Sequence, residues 1–292
     1  MKKNKSAAVI FINVFFTLIC IVWIIPVLYI VSISFTRDPD IIEYGYRLIP
    51  QNISFNTYDY LFQTSRQLLS SYRISIIVTS AGTLLSLIVT TMLAFALCRP
   101  DFAYRKAISF LVFFTMLFNG GLVPTYMLIT QYLKLKNNIL VLILPYVVNA
   151  WFVLLMRSFL TTIPLSLIES AKIDGAGELR TFAFIVLPLA KPALATIGLL
   201  IAFNYWNDWW LSLLYIDVDA LIPLQFLLYR TMSNIMYLTQ QMSSQMSISI
   251  ANLPTESARM AMCILAAGPM LIVFPFFQKY FVKGITLGAV KG

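Results

Sequence analysis

Apolar runs of 18 or more residues recur along this chain of 292, broken by short polar stretches, and that spacing predicts helices that cross a membrane. The first run, 7–33, follows Lys2, Lys3 and Lys5. It is longer than the apolar region of a signal peptide and leads to no small-residue cleavage site, so it is expected to remain as the first span. Further spans are expected over 72–97, 107–130, 139–160, 184–205 and 258–281. A mixed polar stretch, 34–71, separates the first two, and a polar and aromatic segment, 206–254, precedes the last. The predicted fold is all-α, a polytopic membrane protein with six transmembrane helices. Its expected organisation is a first span with an external region (1–71), a core (72–283) carrying a polar loop at 161–183, and a short tail (284–292).

At 60% hydrophobic and 11% charged, the chain is far from a soluble domain, in which about 25% of residues are charged. A net charge of +9 would suit nucleic acid if it were clustered, but the basic residues are dispersed beside apolar runs, where membrane topology accounts for them. Six crossings bring both termini to one side. That side holds 13 Lys and Arg, including Arg99, Arg105, Lys106, Arg157, Lys172, Arg180 and Lys191, against 8 on the other. Basic residues are retained in the cytoplasm during insertion, so both termini and the 161–183 loop are expected there.

Several chemistries drop out. There is no histidine, which removes imidazole metal ligands and imidazole acid–base catalysis together. Cys20, Cys98 and Cys263 lie far apart in or beside apolar runs and read as packing residues, so neither a disulfide framework nor a metal site is expected. The spans carry no paired carboxylates from which a catalytic set could be built. An ion-coupled transporter would place ionisable residues mid-span, and the third and fourth spans have none at their centres. No G-x-x-x-x-G-K-[ST] occurs, so any ATP hydrolysis would come from a partner.

The polar interruption at 161–193 has the richest local pattern. Pro164 suits the first turn of a helix, and Ser166 with Glu169 has the spacing of a capping box, so a helix is expected to start at one or the other. Leu165, Ile168 and Ala171 would share a face, with Glu169 and Lys172 pointing elsewhere. Asp174-Gly175, with Gly177 close behind, predicts a sharp stop through a left-handed glycine, and 178–187 predicts a second helix running into Pro188 and Pro192.

These residues also carry a resemblance. Glu169-Ser170-Ala171, Asp174-Gly175-Ala176 and Ile185-Val186-Leu187-Pro188 together resemble the EAA loop of ABC-importer permeases, with Ser170 in place of the family's first alanine. MLFNGGLVPTY at 116–126 and the closing 278–292 are similar to the carbohydrate class of those permeases, of the MalG type and nearest the LplC-like subgroup. The resemblance implies a type I importer permease fold in a bacterial plasma membrane. It implies binding-protein-dependent import of oligosaccharides by alternating access beside a second homologous permease. Two cytoplasmic ATPase subunits would bind ATP and Mg, leaving this chain no enzyme and without a cofactor of its own, and an extracytoplasmic sugar-binding lipoprotein would deliver the solute. Glu169, Ser170, Ala171, Asp174, Gly175 and Ala176 would then couple to the ATPase, and Lys283, Gly284 and Gly288 would lie along the ATPase interface. A non-sugar solute such as a peptide is the alternative within this class, and a self-sufficient secondary transporter the alternative outside it.

Other stretches admit two readings each. Asn119, Gly120 and Gly121 loosen the third span, either as a break lining the solute pathway or as a glycine packing contact or helix end. Tyr205, Trp206, Asn207, Asp208 and Trp209, followed by Trp210, combine ring faces with amide and carboxylate groups suited to sugar hydroxyls. The same residues would serve as an aromatic belt at the membrane interface. Met232, Met236, Met242 and Met246 suit either docking of an external protein or an ordinary amphipathic helix.

Overall fold

The computed structural model describes the backbone of residues 2–63, 65–245 and 256–289, and the side chains of 9–62, 66–237 and 256–277. Among the described residues the regular structure is helical, and β pairing is confined to one isolated bridge, Thr36 with Ile53. In order come α1 (Lys2–Ser34), α2 (Asp38–Tyr44), α3 (Asn56–Gln63), α4 (Ser65–Cys98), α5 (Arg105–Leu117) and α6 (Leu122–Met127), then α7 (Ala150–Leu160) and α8 (Leu165–Ile173). α9 (Glu178–Thr181) passes through a π turn into α10 (Leu187–Leu189), and α11 (Lys191–Trp206), α12 (Trp210–Tyr215), α13 (Leu224–Gln245) and α14 (Glu256–Ala289) follow.

Among the described residues, three segments are long and apolar enough to cross a membrane unbroken: Val9–Ser34, Arg66–Cys98 and Glu256–Phe277. The other three expected spans are not straight. Arg105–Leu117 and Leu122–Tyr132 meet at 113°, Ile139–Tyr146 and Ala150–Leu160 at 49°, and Glu178–Leu189 and Lys191–Trp206 at 83°. Counting each bent pair as one span gives six. Apolar runs alone suggest straight rods, but asparagines in or beside these runs offer the backbone other partners and prolines remove donors. Asn119 Oδ1 accepts from Gly121 N at 2.8 Å, Asn138 Oδ1 from Leu140 N at 2.9 Å, and Asn149 Oδ1 from Trp151 N at 2.9 Å. A side-chain acceptor at each restart satisfies an amide that hydrocarbon would leave bare, a condition for an irregular backbone at membrane depth. The third bend falls at Ala190, between Pro188 and Pro192, whose missing N–H groups interrupt the helical ladder.

The chain divides into two compact units, Met1–Arg66 with Leu228–Pro269, and Gln67–Leu227 with Met270–Gly292. In the second, the core gathers Met156 of α7, Ile197, Ile201 and Tyr205 of α11, and Tyr215 of α12 around α4. Gly82 lets α4 lie directly under the Tyr205 ring, since a Cβ there would sit 2.6 Å from it. The Tyr205 hydroxyl donates to the Ile143 carbonyl at 2.9 Å and lies 3.0 Å from Ser86 Oγ.

In the first unit, the residues after α1 fold onto the start of α14. The Asp38 carboxylate accepts from the backbone amides of Glu256 (2.8 Å) and Ser257 (3.3 Å) and from the Ser257 hydroxyl. Thr57 Oγ1 lies 2.8 Å from Ser257 Oγ, and the Tyr46 hydroxyl donates to Glu256 at 3.2 Å. Asp38 thus caps a helix 218 residues away in sequence, covering amide groups that its own first turn leaves without partners.

Candidate coupling surface and solute cavity

The turn after α8 is built by its sequence. Ala176 N donates to Ala171 O at 2.9 Å and Gly175 N to Lys172 O at 3.0 Å, with Gly175 at φ 79°. This bond pair is a Schellman motif, which needs a left-handed residue just past the cap, and glycine takes that conformation at little cost. Asp174 is the C-cap and Gly177, extended at φ −70°, opens α9, so only one of the two glycines is left-handed. At the other end α8 starts at Leu165 with Pro164 as N-cap residue and no side-chain cap, so the Ser166–Glu169 capping box does not form. Ile168 and Ala171 are buried, while Glu169, Ser170 and Asp174 are exposed and Ile173 stands 86% exposed at the tip.

A closed ring of charge fixes this hairpin. Arg99, only 7% exposed at the end of α4, grips Asp101 through Nε (2.9 Å) and Nη2 (2.7 Å) and reaches Glu178 at 3.2 Å. Lys172 of α8 lies 2.9 Å from both Asp101 and Glu178. Two cations alternate with two carboxylates, joining the ends of α4 and α8 to the first turn of α9. The Arg99 guanidinium, then the Lys172 ammonium, hold the Asp101 carboxyl well below the usual carboxylate range. Asp101 first, then Glu178, raise the Lys172 pKa.

A cavity of about 440 Å³ opens at the far end of α11. Trp151 and Phe152 from the start of α7 line it together with Leu200, Phe203 and Asn204 of α11 and with Asn207, Asp208, Trp209 and Trp210. The Trp209 and Trp210 rings meet edge to face, 5.7 Å apart at 89°. Asp208 is pinned: Oδ1 accepts from the Tyr146 hydroxyl at 2.8 Å and Oδ2 from Leu211 N at 3.3 Å. Burial raises the Asp208 pKa, and the Tyr146 hydroxyl opposes the shift.

No protein-family model matches the chain. It is 39% identical over 279 residues to the polygalacturonan/rhamnogalacturonan transport system permease protein YtcP of Bacillus subtilis (strain 168), covering 95% of this chain and 94% of that protein. Protein LplC of the same strain is 36% identical over 269 residues, covering 92% and 90%. A chain from the crystal structure of a bacterial ABC transporter involved in the import of the acidic polysaccharide alginate matches with a TM-score of 0.79 and 29% identity, over 95% of this chain and 98% of that one. The chain belongs to the sugar ABC-transporter permeases. These are transport proteins rather than enzymes, and with its apolar helices the permease is a multi-pass membrane protein.

Within the permease, Glu169, Ser170, Asp174 and Gly175 are exposed around the turn between α8 and α9, Ala176 is half-buried and Ala171 is buried. Asn119, Gly120 and Gly121 occupy the break between α5 and α6, with open space where a Cβ would stand at Gly120 and only Pro124 Cδ, 3.9 Å away, at Gly121, so the break is no tight glycine contact. Tyr205 and Trp206 are buried in the core, whereas Asn207, Asp208 and Trp209 line the cavity. Lys283, Gly284 and Gly288 fall on the last turns of α14, which runs on to Ala289, and their side chains lie outside the described residues, as do those of Met242 and Met246. Sequence reasoning missed Arg99, Asp101, Ile173, Glu178 and Trp151. Its one signal was opposite charges set close on either side of a turn, Arg99 with Asp101 and Lys172 with Glu178.

Proposed function

We propose that the permease is one of two membrane subunits of an ATP-driven, binding-protein-dependent importer of oligosaccharides, working by alternating access in a bacterial plasma membrane. The observation that carries this reading is the exposed α8 tip, whose apolar Ile173 and polar Glu169 and Ser170 offer a partner one knob and a polar rim. In this reading both termini and the tip face the cytoplasm, and a pair of ATPase subunits, holding ATP and Mg, receives the tip in a cleft. Closure of those subunits pushes α8. Because Arg99, Asp101, Lys172 and Glu178 lock α8 to α4 and α9, the push moves helices rather than bending the loop. The coupling free energy must then come from contacts at the tip that differ between nucleotide states. Lys283, Gly284 and Gly288 would add a second ATPase contact, and an extracytoplasmic sugar-binding lipoprotein would deliver solute to the outward-facing side. The names of the relatives support a sugar rather than a peptide.

Affinity purification of the tagged chain from gently solubilised native membranes tests the assembly. A second permease, an ATPase and a solute-binding lipoprotein should be recovered together. Reproducible recovery of the chain alone, where a control ABC importer stays intact, would overturn the reading.

A further inference from the structure

We propose that the cavity at the end of α11 is a saccharide subsite that selects uncharged sugar units over uronates, with Asp208 setting that preference. The source of the sugar rests on the importer reading; the selectivity rests on the cavity alone. Its volume of about 440 Å³ lies within the range of small-molecule sites. Trp151 and Trp210 are 49% and 43% exposed, and the perpendicular Trp209–Trp210 pair offers two ring orientations in one corner, where the apolar faces of a pyranose or furanose can stack. An interface belt needs only isolated rings facing lipid. Here three tryptophans from two chain segments surround a concave space with two amides and a carboxylate.

The polar groups sort the sugars. Asn204 is exposed and has no hydrogen bond among the described residues, so its amide is available both to donate and to accept. Asn207 commits one of its two N–H donors to Phe203 O at 3.0 Å, and its carbonyl meets Gln225 only at 3.5 Å, leaving acceptor capacity. The Asp208 carboxylate accepts from the Tyr146 hydroxyl and from the backbone amides of Leu211 and Trp210, which leaves one of its roughly four lone-pair sites for a sugar hydroxyl. Hydroxyl groups therefore find partners at Asn204, Asn207 and Asp208, while the aromatic lining meets the apolar sugar faces. A uronate carboxylate does not: none of the lining residues is Lys or Arg, and their single formal charge is negative. A second carboxylate would meet like charge in a half-buried setting with no cation to offset it.

The test uses the full chain in lipid nanodiscs and its tryptophan fluorescence, since three of its five tryptophans line the cavity. Raffinose, maltotriose and arabinotriose serve as neutral probes and trigalacturonate as the acidic one. At least one neutral trisaccharide should give a saturable change at a concentration at least tenfold below any change with trigalacturonate. D208N, which keeps the side-chain shape, should narrow that gap at least threefold. Tighter binding of trigalacturonate than of every neutral probe would overturn the proposal. So would the absence of any saturable change, which would leave the tryptophans as an interface belt. Either failure leaves the importer reading standing if the partner subunits still copurify.

Discussion

Gly175 carries more of the hairpin than any other residue, through backbone geometry alone. Nothing lies within 4 Å of the position a Cβ would take, so a methyl group fits, but φ 79° is a conformation that L-residues reach only at a cost. G175A should therefore cost about 1–2 kcal/mol locally and lower coupled transport without abolishing it. G175P cannot adopt that φ and also loses the amide that donates to Lys172, so uptake by the assembled importer in proteoliposomes should be lost. Full uptake by G175P would mean that the tip is not the coupling element. This glycine was legible in the sequence because its cause is local: Asp174, Gly175 and Ala176 encode cap, turn and return within three residues. Gly82 was not legible. The Tyr205 ring that demands it comes from another helix, and an apolar run gives no hint of a contact so distant in the chain.

Among elements, the charge ring ties the end of α4 to α8 and α9, and under the proposed mechanism that tie makes them move together. K172E would surround Arg99 with three carboxylates and should reduce the ratio of uptake to ATP hydrolysis several-fold. K172R, which keeps a cation between Asp101 and Glu178, should retain most of that ratio, and a loss as large as that of K172E would show that the charge is not what matters. The pH dependence follows from the two shifts. Asp101 sits below its ordinary range, so its contribution is complete above about pH 4 and fades only as pH falls through the lowered value. Lys172 is raised, so its contribution is complete below about pH 10 and fades as pH rises through the higher value. Coupling measured from pH 5 to pH 9 should show no titration from this ring. Helix content was readable from apolar periodicity, and a break at Asn119, Gly120 and Gly121 was one of two readings there, but the bends before Ala150 and at Ala190 were not foreseen. Asn149 looks like an incidental polar residue until it is seen to accept from an amide two residues on.

At the scale of the molecule, composition and run length were enough for an all-helical membrane chain. The division into two units was not foreseen, because the first of them joins segments far apart in the chain, as where Asp38 meets Glu256 and Ser257. D38A should cost about 1–2 kcal/mol for the lost cap and lower the unfolding temperature of the purified chain, with D38N intermediate. An unchanged melting curve would show the contact to be idle. The same contact sets an order of events during synthesis. Residue 38 leaves the ribosome 218 residues before its partner, a delay of roughly 10–45 s at ordinary translation rates. Throughout that interval the loop behind α1 carries a carboxylate whose helix does not yet exist. A chain halted before the last span is inserted would keep the loop unclasped, offering proteases and chaperones a mark that separates unfinished molecules from complete ones.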